Sequence, residues 1–525
     1  MASNYSMKNF MRGALLLTVA AILAKVLSAI YRIPYQNIVG DQGFYVFQQV
    51  YPFASVFVVL TSGGFAVAIS KLLIDEEHVE KRQQIKKAMF SYLLLLGLFF
   101  FTALFVGAPS FARWMGDGEL TTLIRVAAFV PLTMPFMAIL KGSYQAENNM
   151  QRVAYAQLIE QGCRVAVILG GTLIVMVTTK SIYIAGTVAI FGIVVGAVGS
   201  LAYLWLLDRR GSVQFITTTG KLWDWSVVKK ITAYSISISM SSLVVILFQF
   251  VDSFTVFNGL LQNGVAIDDA KAMKGIYDRG QSLVQFSMVL VSAMAMAIVP
   301  MIAYKSQKGQ RREIPYVQLT YRVTFMMSIA AAVGLALVMP YANQMLFETD
   351  ALSDMLSVYV LQIIPLCFVL TFTAVLQGYG IILWPSLFIL AAVVVKMLLN
   401  PLFIANWELY GAAYANNVAL LVAAMCFIIY IKKWRNVKLA RFTYYVKLAI
   451  ALVLMLVVVN GLELLLPIVE NRIQAAVHAA ILIMSGAAVF LVAVAKLHVL
   501  ATREWFLLPM GRRMAALQLF LNRKK

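Results

Sequence analysis

Fourteen stretches of about twenty apolar residues succeed one another along this chain, near 12–33, 45–70, 88–107, 121–141, 153–177, 182–206, 231–257, 276–303, 318–340, 356–378, 384–404, 410–431, 444–465 and 474–499. A helix rising about 1.5 Å per residue needs about 20 apolar residues to cross a hydrocarbon layer of ~30 Å, and it bonds every backbone amide within itself. The pattern predicts an all-α polytopic membrane protein with fourteen transmembrane helices. Composition leaves no soluble alternative, since 62% of the 525 residues are hydrophobic, 13% are charged and the mean hydropathy is +0.83.

The net charge of +20 raises nucleic acid as a partner, but the cations form no single stripe and are not interleaved with aromatics, so no such role is expected. Their distribution follows topology instead. Of 43 Lys and Arg, 31 fall at the two ends and in the alternate gaps 71–87, 141–152, 207–230, 304–322 and 432–447. The opposite gaps hold six: Arg32, Arg113, Lys180, Lys271, Lys274 and Arg472. By the positive-inside rule both termini are cytoplasmic. Acidic residues split almost evenly, 9 inside and 11 outside, so Lys and Arg carry the asymmetry. The N-terminal run has a basic start at Lys8 and Arg12 but no small-residue cleavage site, which predicts a retained first helix. Cys163, Cys367 and Cys426 lie in apolar runs without metal-ligand spacing and read as small buried side chains.

Six cations, Lys25, Arg125, Arg164, Arg279, Lys396 and Lys496, lie inside or at the rim of the apolar windows. A cation at bilayer depth costs about 2.5–3.5 kcal/mol on insertion scales, so several in one chain imply a polar interior or paired charges. The windows also repeat. Ala66-Val67-Ala68-Ile69 returns as Ala295-Met296-Ala297-Ile298, and Val130-Pro131-Leu132 returns as Ile364-Pro365-Leu366. Arg164 and Lys396 occupy the fifth and eleventh windows, and Gly186 and Gly411 open the sixth and twelfth, all at offsets of 225 to 236 residues. Six windows per repeat give both halves the same orientation, related by an axis along the membrane normal. The expected organisation is a first lobe over 1–220, a second over 221–440, an appended helix pair over 441–500 and a basic amphipathic tail over 501–525 lying on anionic lipid. The Thr-rich gap at 207–230 suits an interlobe linker.

Leu23-Ala24-Lys25-Val26-Leu27-Ser28, Arg32, the run Ile38-Val39-Gly40-Asp41-Gln42-Gly43-Phe44-Tyr45, Pro52, and Phe65 through Lys71 resemble the opening of bacterial polysaccharide transporters of the stage V sporulation protein B type. Those transporters belong to the multidrug/oligosaccharidyl-lipid/polysaccharide exporter superfamily, as do the lipid II flippases. The resemblance implies two six-helix bundles in a V, alternating access, and movement of undecaprenyl-diphosphate-linked saccharides or peptidoglycan precursors across the bacterial cell membrane. In the lipid II flippase branch two further C-terminal helices help form a groove for the lipid tail, which a fourteen-window chain matches.

A lipid-linked diphosphate crossing a low-dielectric layer needs counter-charge, which fixed Arg and Lys would supply. Lys25 takes the place of a basic cavity residue of the family, with an internal ion pair as the alternative. Arg32 also resembles a family Arg, or else snorkels to the outer interface. Arg279 matches a second-lobe cavity Arg, or else pairs locally with Asp278. A further Arg of the second span has no counterpart, since Val56, Phe57 and Val58 stand there, which separates this chain from the lipid II pattern. Gln48, Gln49, Tyr45, Tyr51 and Ser62 are candidates for sugar hydroxyls or for helix packing. Thr61, Gly63 and Gly64 read as a close helix contact or bend. Glu160 and Arg164, four apart on one helix face, read as a structural pair. An acidic residue at the position of Asp252 implies a coupling sodium ion in the family, but the eleventh window offers Lys396 and Asn400, so the expectation here is a Lys396–Asp252 pair in place of that ion. Arg125 and Lys496 reach an interface.

Two other functions compete: a cation-coupled multidrug exporter of the same fold, which would prefer an acidic or aromatic cavity, and a membrane glycosyltransferase or polymerase. Asp268-Asp269 lies in a short outer gap, and His78, His478 and His498 have no acid–base partner, so no enzyme is expected. No nucleotide-binding loop is present and no cofactor is expected. The implied partners are the lipid-linked glycan, the phospholipid bilayer and enzymes of cell-wall synthesis, with a monomer favoured.

Overall fold

A computed structural model describes residues 20, 23–24, 26–208, 225–307, 313–435, 439–508 and 511–522, and all their side chains except those of 289–301, 303–307 and 435. Lys25 and the centre of the expected linker, 209–224, lie outside the described residues. Every regular element among the described residues is helical, and eleven stretches are long and apolar enough to span a membrane. Leu383–Trp434 covers two of the expected windows, and Val26–Asp75 covers the second together with the end of the first. Backbone breaks divide them, at Gly40 (φ 70°, ψ −176°) and at Trp407 with Glu408 (φ 49°, ψ −128°). The gaps expected at 34–44 and 405–409 are therefore not open loops. Asn37, Asn406 and Glu408 are exposed there, while Tyr35 and Gln36 are buried, and the backbone stays helical on either side of each break. Gly40 adopts a region reserved for glycine, because a Cβ would clash with its own carbonyl neighbours.

The chain forms two compact units, Met1–Asp278 and Arg279–Lys525. The first holds α1 (Arg32–Val59), α2 (Ala66–Asp75), α3 (Val79–Trp114), α4 (Thr121–Ala127), α5 (Met134–Ala146), α6 (Met150–Ala166), α7 (Thr172–Thr178), α8 (Ile182–Leu206) and α9 (Trp225–Gln262). The division falls inside α10 (Ile267–Gln307). A π-helical turn over Leu60–Phe65 joins α1 to α2, and another over Val167–Gly171 joins α6 to α7. Such turns insert one extra residue and re-aim the side chains beyond them. At Gly64, inside the first turn, a Cβ would meet Ser239 Oγ at 2.3 Å and Ser235 O at 2.9 Å, so the glycine lets α9 approach closely. Along α1 the buried positions Arg32, Tyr35, Gln36 and Val39 recur at helical spacing, a stripe turned into the unit despite its polar members. Helix α8 packs along α6; at Gly196 a Cβ would meet Glu160 O at 2.6 Å.

The second unit comprises α11 (Ile314–Leu337), α12 (Met339–Phe347), α13 (Ser353–Val360), α14 (Ile363–Gly378), α15 (Leu383–Arg435), α16 (Phe442–Glu463), α17 (Arg472–Lys496), α18 (Thr502–Trp505) and α19 (Gly511–Leu521). Helices α16 and α17 pack together, and α19 packs back on α17 and α18. The tail does more than lie on a surface: Ala515 and Gln518 are buried, and Gln518 Nε2 donates to Leu500 O at 3.1 Å. Leu519 and Phe520 remain exposed, as an interfacial helix requires. Arg322 Nη1 donates to Glu504 Oε2 at 3.2 Å, and its Nη2 bonds the other oxygen, which ties α18 to α11.

Candidate functional site

Arg32 occupies the first turn of α1 and is fully buried. Burial rules out the expected reach to an outer interface. Its guanidinium carbon lies 4.8 Å from the Tyr51 ring centroid, and the Tyr31 and Tyr51 side chains are its hydrogen-bonding neighbours, with no carboxylate paired to it among the described residues. The Tyr35 hydroxyl, one turn on in α1, is buried without a partner among the described residues. A stacked aromatic ring stabilises a cation by about 0.5–2 kcal/mol, less than desolvating a guanidinium costs. The arrangement suits an anion.

Beside it lies a second polar cluster. Arg164 Nη2 donates to Glu160 Oε1 at 3.1 Å within α6, and Lys141 Nζ, from α5, donates to Glu160 Oε2 at 3.1 Å and to Ser62 Oγ at 2.9 Å. Lys141 was expected in a basic loop; instead it is 2% exposed, because its helix continues past the end of the apolar window to Ala146. Ser62 is thereby engaged by a lysine. Thr61 donates to Phe57 O at 2.6 Å.

The other α1 candidates separate. Tyr45 donates to Asp117 Oδ2 at 3.3 Å, a carboxylate that also accepts from Tyr183 at 2.7 Å, and its ring packs 5.0 Å from Phe257. Its hydroxyl is committed to the protein rather than presented to a sugar. Gln49 donates to Ser253 O at 3.2 Å, whereas the side-chain oxygens of Gln48 and Gln49 are buried without donors. Asp252 accepts from Tyr277 at 3.2 Å. Asp278 does not pair with Arg279; it accepts from Lys274 one turn back, at 2.5 Å, and Lys274, expected in an outer gap, is 2% exposed.

In the second unit Arg279 is fully buried, donates from Nη1 to Asn343 Oδ1 at 3.2 Å and lies 5.0 Å from the Phe347 ring. Asn343 in turn donates to Ala351 O at 3.0 Å and Ser353 Oγ at 3.1 Å, which anchors the arginine to the turn between α12 and α13. Lys396 and Asn400 are both fully buried, and Lys396 Nζ bonds Asn416 Oδ1. Arg125 and Lys496 are exposed near helix ends. Among the described residues no group of His, Cys, Asp and Glu is arranged to hold a metal. Lys141, Lys274, Asn343 and Asn416 escaped sequence reasoning. The available signal was the apolar run Ala138-Ile139-Leu140 that leads directly into Lys141.

Residues 10–305 match the family described as Polysaccharide biosynthesis protein. The chain is 35% identical over 418 residues to the uncharacterized membrane protein YabM of Bacillus subtilis strain 168, covering 79% of this chain and 78% of that protein. It is 25% identical over 451 residues to the lipid II flippase MurJ of the same organism, covering 81% and 82%. To stage V sporulation protein B, also from that organism, it is 29% identical over 207 residues, covering 38% and 39%. Among solved structures it is similar to lipid II flippase MurJ in an inward closed conformation, with a TM-score of 0.65, 14% identity, and coverage of 92% of this chain and 99% of that one. It is also similar to an inward-facing multidrug resistance MATE family transporter of the MOP superfamily, with a TM-score of 0.62, 15% identity, and coverage of 79% and 96%. The fold is of the MOP type.

Proposed function

Because the chain belongs to the polysaccharide biosynthesis protein family and is a multi-pass membrane transporter of MOP-type fold, we propose that it is a flippase that moves an undecaprenyl-diphosphate-linked saccharide or peptidoglycan precursor from the inner to the outer leaflet by alternating access. Arg32 carries this reading: a fully buried guanidinium faced by tyrosines rather than by a paired carboxylate among the described residues is what an anionic headgroup needs. Lys25 and Arg279 join it as phosphate ligands, Arg279 by leaving Asn343, and the unpartnered oxygens of Gln48 and Gln49 accept from sugar hydroxyls.

The proposed topology has fourteen spans with both termini cytoplasmic. It follows from counting each broken stretch as two spans and from the 41-residue α10, which covers the eighth window. Lobes over 1–220 and 221–440, a helix pair over 441–500 lining a lipid-tail groove, and a tail over 501–525 complete it. A monomer suffices for this cycle, with cell-wall synthesis enzymes acting before and after it.

Depletion of the protein, followed by analysis of lipid-linked precursors in each leaflet, tests the reading. One diphosphate-linked precursor should accumulate on the cytoplasmic side; if none does, the proposal fails. Transport that strictly requires sodium and is abolished by Asp252→Ala would assign Asp252 to ion coupling instead of to its contact with Tyr277.

A further inference from the structure

Glu160 serves two cations. Lys141 holds one of its oxygens and Arg164 the other, each at 3.1 Å, and all three side chains are 5% exposed or less. One carboxylate cannot neutralise both. Arg164 uses one nitrogen of its fork on Glu160, while its Nε has no acceptor among the described residues. Tyr31 and Tyr51 lie within electrostatic reach of both Arg164 and Arg32, so the two guanidinium groups share one pair of aromatic neighbours. Asp278 is the acid within reach of Arg32, and Lys274 already holds it at 2.5 Å.

We infer that Arg32 and Arg164 form a two-cation site that distinguishes a polyprenyl diphosphate from a polyprenyl monophosphate, Arg32 taking one phosphate and Arg164 the second. This inference rests on the lipid-carrier reading above. The Glu160 cluster supplies the switch. Stripping one partner from a buried ion pair is strongly unfavourable when the other is left uncompensated. Lys141 removes that obstacle: when Arg164 turns from Glu160 to a phosphate, the carboxylate keeps its lysine and no bare charge remains. The residue types fit the roles. A planar fork can exchange one bidentate partner for another, whereas an ammonium is a compact point charge suited to stay in place. The π-helical turn over Val167–Gly171 begins three residues after Arg164. Lys141 and Glu160 are positioning residues, and Arg164 is the proposed ligand.

The full-length chain in nanodiscs, titrated with farnesyl diphosphate and farnesyl monophosphate, tests this. The wild type should prefer the diphosphate by about tenfold or more, the effect of one additional charge-assisted hydrogen-bonded contact. Arg164→Gln should lower diphosphate binding to the monophosphate level and leave monophosphate binding unchanged. Arg32→Gln should weaken both. Arg164→Gln keeps the neutral Lys141–Glu160 pair, so its thermal midpoint should stay near that of the wild type. Lys141→Met should also erase the preference, although Arg164 is still present, because Glu160 then has no other partner. Survival of the wild-type preference in either Arg164→Gln or Lys141→Met overturns the inference. A wild type that binds both probes equally overturns it alone, and one that binds neither overturns the lipid-carrier reading as well.

Discussion

The buried cations of the two units are held by different chemistry. In the first, Lys141 and Arg164 share the carboxylate of Glu160, while Arg32 has only an aromatic face and its neighbours' hydroxyl groups. In the second, Arg279 and Lys396 are each gripped by an asparagine, Asn343 and Asn416. A carboxylate cancels charge, whereas an amide oxygen orients a cation without itself cancelling it. Carboxylate pairing and amide contacts thus both orient buried cations in this chain.

Four substitutions would break or sharpen that contrast. The largest effect is expected from Arg32→Gln, which should abolish complementation yet leave the thermal midpoint unchanged or raised, since a buried cation without a paired carboxylate costs several kcal/mol rather than stabilising the fold. A large loss of stability would instead assign Arg32 a structural task. Next, Glu160→Gln should destabilise the protein by about 3–5 kcal/mol in denaturant unfolding, because it strands two buried cations, and adding Lys141→Met should recover part of the loss. Asn343→Ala should cost about 1–3 kcal/mol by leaving the Arg279 donor and the turn at Ser353 without their shared partner. If Asn343→Ala proves as costly as Glu160→Gln, amide steering and charge cancellation are not energetically distinct here. The smallest effect belongs to Arg472→Ala. Arg472 meets Glu348 with side chains 44% and 59% exposed, and such pairs contribute about 0–1 kcal/mol. A shift in thermal midpoint too small to resolve would agree.

The sites differ in how far they could be read before the structure. Glu160 and Arg164 sit one helical turn apart, so spacing alone identified their contact. Asp278 and Lys274 are also four apart, but hydropathy assigned the lysine to an outer gap and the pair went unnoticed. Lys141 meets Glu160 from 19 positions away, and Asn343 meets Arg279 from 64, both across helices. Periodicity along one helix carries no information about the rotation of its neighbour. Tyr45 shows the converse: its polar group suggested a ligand contact, and Asp117, 72 residues on, takes it.

Apolar run length, the bias of Lys and Arg between alternate gaps and the motif over residues 23–71 were enough to specify a helical, multi-pass member of this transporter family, because a bilayer penalises each residue by its own chemistry and one-dimensional patterns record that penalty. Which cations end up buried, and whether a carboxylate, an amide or no acceptor faces them, depends on helix rotation, on π-helical turns and on close contacts such as Gly64 against Ser239. Those are settled by packing among side chains distant in sequence. The carboxylate shared by Lys141 and Arg164, and the tyrosine-lined guanidinium of Arg32, emerge only there.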